Sequence, residues 1–163
     1  QIILDRKPKE LEGAAGQQLN ILLDDGFEVD NWKDREEIIQ GSDLLIDALI
    51  GYGLKGAPEG KTRKLISLCE ESPARILSLD VPSGLNATDG SAPGPRIHPD
   101  ATLTLALPKT GLLEAGGEIF LGDIGVPASV FRRLGIYYCK PFRKNYVVRL
   151  EERSENFKDE TKD

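Results

Sequence analysis

The sequence predicts a three-layer α/β/α domain, Rossmann-like, built on a mostly parallel sheet. Two observations predict it. Strand-length apolar runs alternate with segments of helical period across short connections, the pattern of a parallel sheet with right-handed crossovers. Two of those runs, LLIDALI at 44–50 and ILSLDV at 76–81, carry an acid, Asp47 and Asp80, and each leads into a glycine-containing turn. Parallel strands deliver their carboxyl ends to one crevice, where such sheets bind ligands, so the two runs propose one site.

The elements follow in order. Residues 2–4 are a short apolar strand closed by a polar turn at 5–8. Leu11, Ala15, Leu19 and Leu22 recur at helical spacing, and Gly26 follows Asp25 as a stop. Residues 27–32 alternate like a half-buried strand, and 34–40 form a short charged helix with Ile38 and Ile39 facing inward. Strand 44–50 comes next. After the glycine turn, Leu65, Leu68 and Cys69 stand at i, i+3 and i+4 within helix 60–71, which Pro73 ends.

Strand 75–81 leads into residues 84–99, where Gly, Pro, Ser, Asn and Asp crowd too closely for a regular element. Loops of that length in compact domains are usually functional. Residues 102–107 are an alternating strand, 108–117 a turn containing Lys109, 118–124 a strand, 129–134 a last helical turn and 146–150 an edge strand. With no helix between them, the last strands are expected to pair differently. The end, EERSENFKDETKD, has too few apolar residues to pack. One domain is therefore expected over 1–138, with a partly disordered extension over 139–163. A start without Met, inside a strand pattern, reads as a fragment or a processed form.

Length and composition allow one domain with a real core: 163 residues, 39% hydrophobic. A net charge of -6 argues against a nucleic-acid surface, which needs a basic excess, although glycine turns can still bind anions through backbone N–H groups. Cys69 and Cys139 make no disulfide framework, and a single histidine, His98, excludes a zinc site of Cys/His spacing. Neither a signal peptide nor a membrane span is visible, so a soluble, cytoplasmic protein is expected.

Asp47 lies in an apolar run, where an ionised group is costly without compensation. It reads equally as a structural acid capping backbone or pairing with an arginine, and Asp80 with Ser83 reads equally as turn-shaping; the combination favours a site. His98, with neither acid nor second histidine beside it, reads as structural or exposed. Cys69 reads as core, Cys139 as unactivated, and Trp32, Tyr137 and Tyr138 as packing or interface residues.

Gly51, Gly53 and Gly56 match the dinucleotide fingerprint G-x-G-x-x-G, and Asp80 follows at the end of the next strand, which taken alone favours an NAD-dependent dehydrogenase. The fingerprint requires a helix to open at its third glycine, and Ala57, Pro58, Glu59 and Gly60 delay it.

DLLIDALIGYGLKG, LDVPSGLNATDG, PDATLTLALPKTGL and GDIGVP, in that order, resemble the successive signatures of the NAD(P)H-hydrate epimerase family, also called the YjeF N-terminal domain, over about residues 2–127. The resemblance implies interconversion of the R and S epimers of hydrated NADH or NADPH (NADHX and NADPHX), a partner dehydratase, either separate or fused in the parent protein, frequent dimers and a bound potassium ion. By position it implies Asp47 and Ser83 as potassium ligands. It also implies substrate contacts from Gly51, Tyr52, Gly53, Leu54, Lys55, Gly56 and Ala57, and Asp80 as a substrate-binding acid. Asp80 is then the candidate acid/base, and Lys55 or Lys109 the candidates to hold a phosphate or stabilise developing charge. The family's Asn-Asn-Gly-Gly-Asp-Gly turn, a further potassium ligand and phosphate cradle, is not in this sequence. A non-catalytic binding module of the same fold remains the alternative from another class.

Overall fold

The structure, a computed structural model, describes residues 1–29 and 34–151. Trp32 and the rest of the expected tail, 152–163, lie outside the described residues. Among the described residues five strands form one sheet in sequential order: β1 (Leu44–Asp47), β2 (Arg75–Leu79), β3 (Ala101–Leu105), β4 (Glu118–Gly122) and β5 (Val147–Leu150). The first three pairings are parallel and the last, β4 with β5, is antiparallel. The expectation that strands with no helix between them pair differently is overturned: β3 and β4, joined without an α-helix, pair parallel, whereas the antiparallel pair β4 and β5 has a helix, residues 128–133, between its strands. Among the described residues four α-helices accompany them: α1 (Gly13–Asp24), α2 (Arg35–Gln40), α3 (Gly60–Glu70) and α4 (Ala128–Arg133).

Helix α3 organises the core. Its Leu65 and Leu68 join Ile39 of α2, while Ile66, one step round the helix, packs with Ile76 of β2 and Ile97. The stripe read from Leu65, Leu68 and Cys69 is therefore broader, and Cys69 sits at its half-buried margin, packed against both clusters. A third cluster, Val81, Leu85, Ala87, Leu112 and Ala115, ties the loop after β2 to the connection between β3 and β4. That connection, read as a plain turn, contains a 3-10 turn at Thr110–Glu114. It returns the chain for a parallel partner without a helix.

Most expected strands are shorter than their apolar runs, and polar groups at their ends explain why. The run at 44–50 leaves the sheet at Asp47, whose carboxylate takes the Leu49 N–H at 3.4 Å. The run at 75–81 stops at Leu79 because Asp80 adopts a left-handed backbone, φ 71°. The run at 102–107 stops likewise before Ala106, φ 65°. Residues 2–4 contribute one parallel bridge, Ile2 with Val29, in place of a strand. Of the apolar positions read along α1, only Leu19 is buried. Among the described residues no helix is long and apolar enough to cross a membrane.

Residues 84–99 are irregular, as expected, yet firmly tied. The Ile97 N–H donates to the Ser83 carbonyl at 2.8 Å, and that of Asn86 to the Ser91 carbonyl at 2.8 Å. Gly84, at φ +92°, lets the two ends touch: a Cβ there would stand 2.4 Å from the Pro95 carbonyl oxygen. This loop ties down the Ser83 backbone through Ile97.

Candidate functional site

The carboxyl ends of β1, β2 and β3 meet as the parallel topology requires, and they carry two carboxylates in unlike surroundings. Asp47 ends β1 opposite Ser78 of β2 and is 5% exposed. Its Oδ2 accepts from the Ser78 hydroxyl and the Ser83 backbone N–H, both at 2.8 Å. Its Oδ1 accepts from the Ser83 hydroxyl at 2.5 Å and, more loosely, from the Leu49 N–H. Four neutral donors thus offset the cost of burying this carboxylate.

Ser83 belongs to the same knot, since its Oγ also accepts the Ile50 N–H at 2.8 Å and lies 3.2 Å from the Ile50 carbonyl. The Asp47 carboxylate, the Ser83 hydroxyl and the Ile50 carbonyl are hard oxygens, the donor class that suits a potassium ion. Among the described residues no group of three His, Cys, Asp or Glu side chains gathers as a metal site.

Asp80 stands one residue beyond β2 and is half-open. Lys109 forms an ion pair with its Oδ1, which also accepts the Leu105 N–H at 3.2 Å. Its Oδ2 faces the glycine turn: a Cβ added to Gly51 would lie 4.0 Å from it. The two acid-bearing runs therefore converge, with the turn between them.

That turn is built to be approached. Gly51, Tyr52, Gly53, Lys55, Gly56 and Ala57 are exposed, Tyr52 by 72%, and Leu54 is half-buried. Gly56, at φ +128°, takes a backbone conformation that side chains resist. Pro58 is buried, and Ala57 and Pro58 pack so closely on Gly94 that a Cβ there would meet them at 3.0 and 3.3 Å. The turn is anchored at its end and free at its glycines. Helix α3 opens at Gly60, four residues after Gly56, so no helix N-terminus meets a pyrophosphate at the third glycine and the dehydrogenase reading loses its support.

Lys55 is exposed on the turn, whereas Lys109 is drawn to Asp80 and away from solvent. Sequence reasoning missed Ser78, the Ile50 carbonyl and Thr104, whose Oγ1 lies 3.2 Å from Lys109 Nζ. One signal was available for Thr104: Thr102 and Thr104 occupy alternate positions of an apolar strand, and both are fully buried.

The surroundings of His98 need correcting. An acid far off in sequence partners it: Nδ1 lies 2.6 Å from Glu70 on α3, while Arg96 Nε approaches Nε2 at 3.1 Å. This cluster lines an open pocket of about 490 Å³ with Ser67 and Gly94, sharing no side chain with the acids at the strand ends. Cys139 is exposed, Tyr138 stacks on Phe131 at 4.2 Å between centroids, and Tyr137 is exposed. Burial, followed by the charges of Asp47 and Glu70, pushes the Cys69 thiol up to about 11.

Fold and crevice together define a Rossmann-like domain whose parallel strand ends carry two acids. The chain belongs to the family described as YjeF-related protein N-terminus, whose model matches residues 2–111. It is 46% identical over 143 residues to an NAD(P)H-hydrate epimerase of Dehalogenimonas lykanthroporepellens, covering 86% of this chain and 57% of that protein. It is 33% identical over 138 residues to a bifunctional NAD(P)H-hydrate repair enzyme Nnr of Moorella thermoacetica, covering 78% of this chain and 26% of the other. Among solved structures it is similar to yeast ynu0, with TM-score 0.67 and 18% identity, covering 82% of this chain and 59% of that one; this likeness concerns the fold. The chain thus spans little more than half the length of the first of these relatives.

Proposed function

We propose that this chain carries the core of an NAD(P)H-hydrate epimerase site, interconverting the R and S epimers of hydrated NADH or NADPH. The observation that carries the reading is the meeting of Asp80 Oδ2 with the exposed glycine turn, beside the Asp47–Ser83 knot. The names of the relatives supply the substrate class.

The substrate's hydrated carbon bears a hydroxyl next to a ring nitrogen whose lone pair can expel it. Asp80, protonated, gives its proton to the departing oxygen, which leaves as water. Water then returns on the other face of the flattened ring and gives a proton back to the carboxylate, so the residue ends as it began. The turn from Gly51 to Ala57 holds the dinucleotide through its open backbone. A potassium ion bound by Asp47 and Ser83 would place fixed positive charge beside the substrate's anionic groups. A dehydratase then consumes the S epimer, and the bifunctional Moorella relative fits such a partnership.

The test is chiral chromatography of R-enriched NADHX incubated with the chain, in potassium and in choline buffers, against an enzyme-free control. Equilibration faster than the control and dependent on potassium is expected. Equilibration no faster than the control, from a chain shown by circular dichroism to be folded, would sink the assignment for this polypeptide.

A further inference from the structure

We propose that Thr104 is a positioning residue: with Lys109 it fastens Oδ1 of Asp80, so that Oδ2 is the oxygen offered to substrate at the Gly51 turn. The inference rests on Asp80 as the acid/base, and it adds which oxygen reacts and what aims it. Lys109 Nζ has three protons and three acceptors around it: Asp80 Oδ1, the Thr104 hydroxyl at 3.2 Å and the Leu105 carbonyl at 3.0 Å. All three protons are placed. None remains for a phosphate or a developing oxyanion, so Lys109 acts on the carboxylate rather than on substrate.

Asp80 is correspondingly asymmetric. Its Oδ1 takes the ammonium and the Leu105 N–H, and the Thr104 hydroxyl stands 3.5 Å away. Among the described residues no donor reaches Oδ2. An oxygen with two lone pairs engaged is a poor proton acceptor, and the free one of the same carboxylate does the work. Asp80 also holds a left-handed backbone, φ 71°, which is uncommon in a non-glycine residue. Thr104 is the clamp's rigid end, fully buried in β3, whereas Lys109 is a flexible arm that two neutral acceptors hold in one place.

Thr102 provides the control. It lies two residues earlier on the same face of β3, equally buried, and its hydroxyl has no hydrogen-bond partner among the described residues. Thr104→Val, Thr104→Ser and Thr102→Val are compared in the full chain by two readouts. The first is the exchange rate of the Lys109 side-chain ammonium protons in nitrogen-15 NMR, assigned with Lys109→Arg. The second is the kcat and KM of NADHX epimerisation.

A slowly exchanging Lys109 signal is expected in the parent, in Thr104→Ser and in Thr102→Val. In Thr104→Val exchange speeds up about tenfold or more, and kcat falls by a similar factor with KM changed less than about twofold. Thr104→Val with parent exchange and parent kcat overturns the proposal. Should that variant fail to fold, a freely exchanging Lys109 in the parent overturns it equally. A chain without epimerase turnover whose Lys109 signal is protected, and loses protection in Thr104→Val, keeps the clamp and sinks the epimerase reading.

Discussion

Asp47 and Asp80 end neighbouring parallel strands, yet they are held in opposite ways. Asp47 is sealed and met on every side by neutral donors from serines and backbone. Asp80 keeps 24% of its side chain exposed and is gripped on one oxygen by a cation. The contrast teaches what each carboxylate can do. A buried acid that accepts from several donors is a fixed part of the scaffold, because any change of protonation strands them. A half-open acid with one free oxygen can gain and lose a proton while its neighbours stay in place.

The largest effect should come from the half-open acid. Asp80→Asn keeps the shape and the Lys109 and Leu105 contacts but removes the exchangeable proton, so epimerisation should fall roughly 100- to 10,000-fold. Its urea midpoint should move little. Retained turnover in this variant would break the comparison at its functional end. The sealed acid should respond in the other currency. Asp47→Ala leaves the Ser78 hydroxyl and the Ser83 N–H without their acceptor and the Ser83 hydroxyl with only the Ile50 carbonyl, at an expected cost of about 3 kcal/mol in urea unfolding. A cost under about 1 kcal/mol would mean that water replaces the carboxylate and that Asp47 is less structural than its contacts imply.

How much of this could be read beforehand follows the same division. The strands that carry the acids, the glycine turn and the convergence of Asp47, Ser83 and Asp80 were all visible, because each lies in a short stretch whose pattern fixes its place at a strand end. Thr104 was not, since its task depends on the register that sets β3 beside β2 and on Lys109 reaching back across the strand end. Glu70 and His98 escaped for a similar reason: 28 residues separate them and only tertiary packing joins them. The ends of β1, β2 and β3 were overestimated because apolar character outlasts the ladder, while a side-chain hydrogen bond at Asp47 and left-handed backbones at Asp80 and Ala106 break it. Local pattern shows where the acids sit. It does not show which donors surround them.

The smallest expected effect is also the one that reads Asp47 alone. Cys69 is half-buried, and its thiol is raised from an ordinary 9.0 to about 11 first by burial and then by the charges of Asp47 and Glu70. Asp47→Asn removes one of those charges and leaves the burial, so the thiol should titrate lower than in the parent but still above 9.0. More thiolate at pH 9 means faster alkylation by iodoacetamide, read at Cys69 by peptide mass spectrometry with exposed Cys139 as the internal reference. Asp80→Asn should leave the rate unchanged, because Asp80 does not contribute to the shift. A cation bound at Asp47 acts in the same direction as the substitution. Potassium replacing choline at constant ionic strength should therefore accelerate Cys69 in the parent and not in Asp47→Asn, and a parent rate indifferent to potassium would count against Asp47 as its ligand whatever the turnover shows.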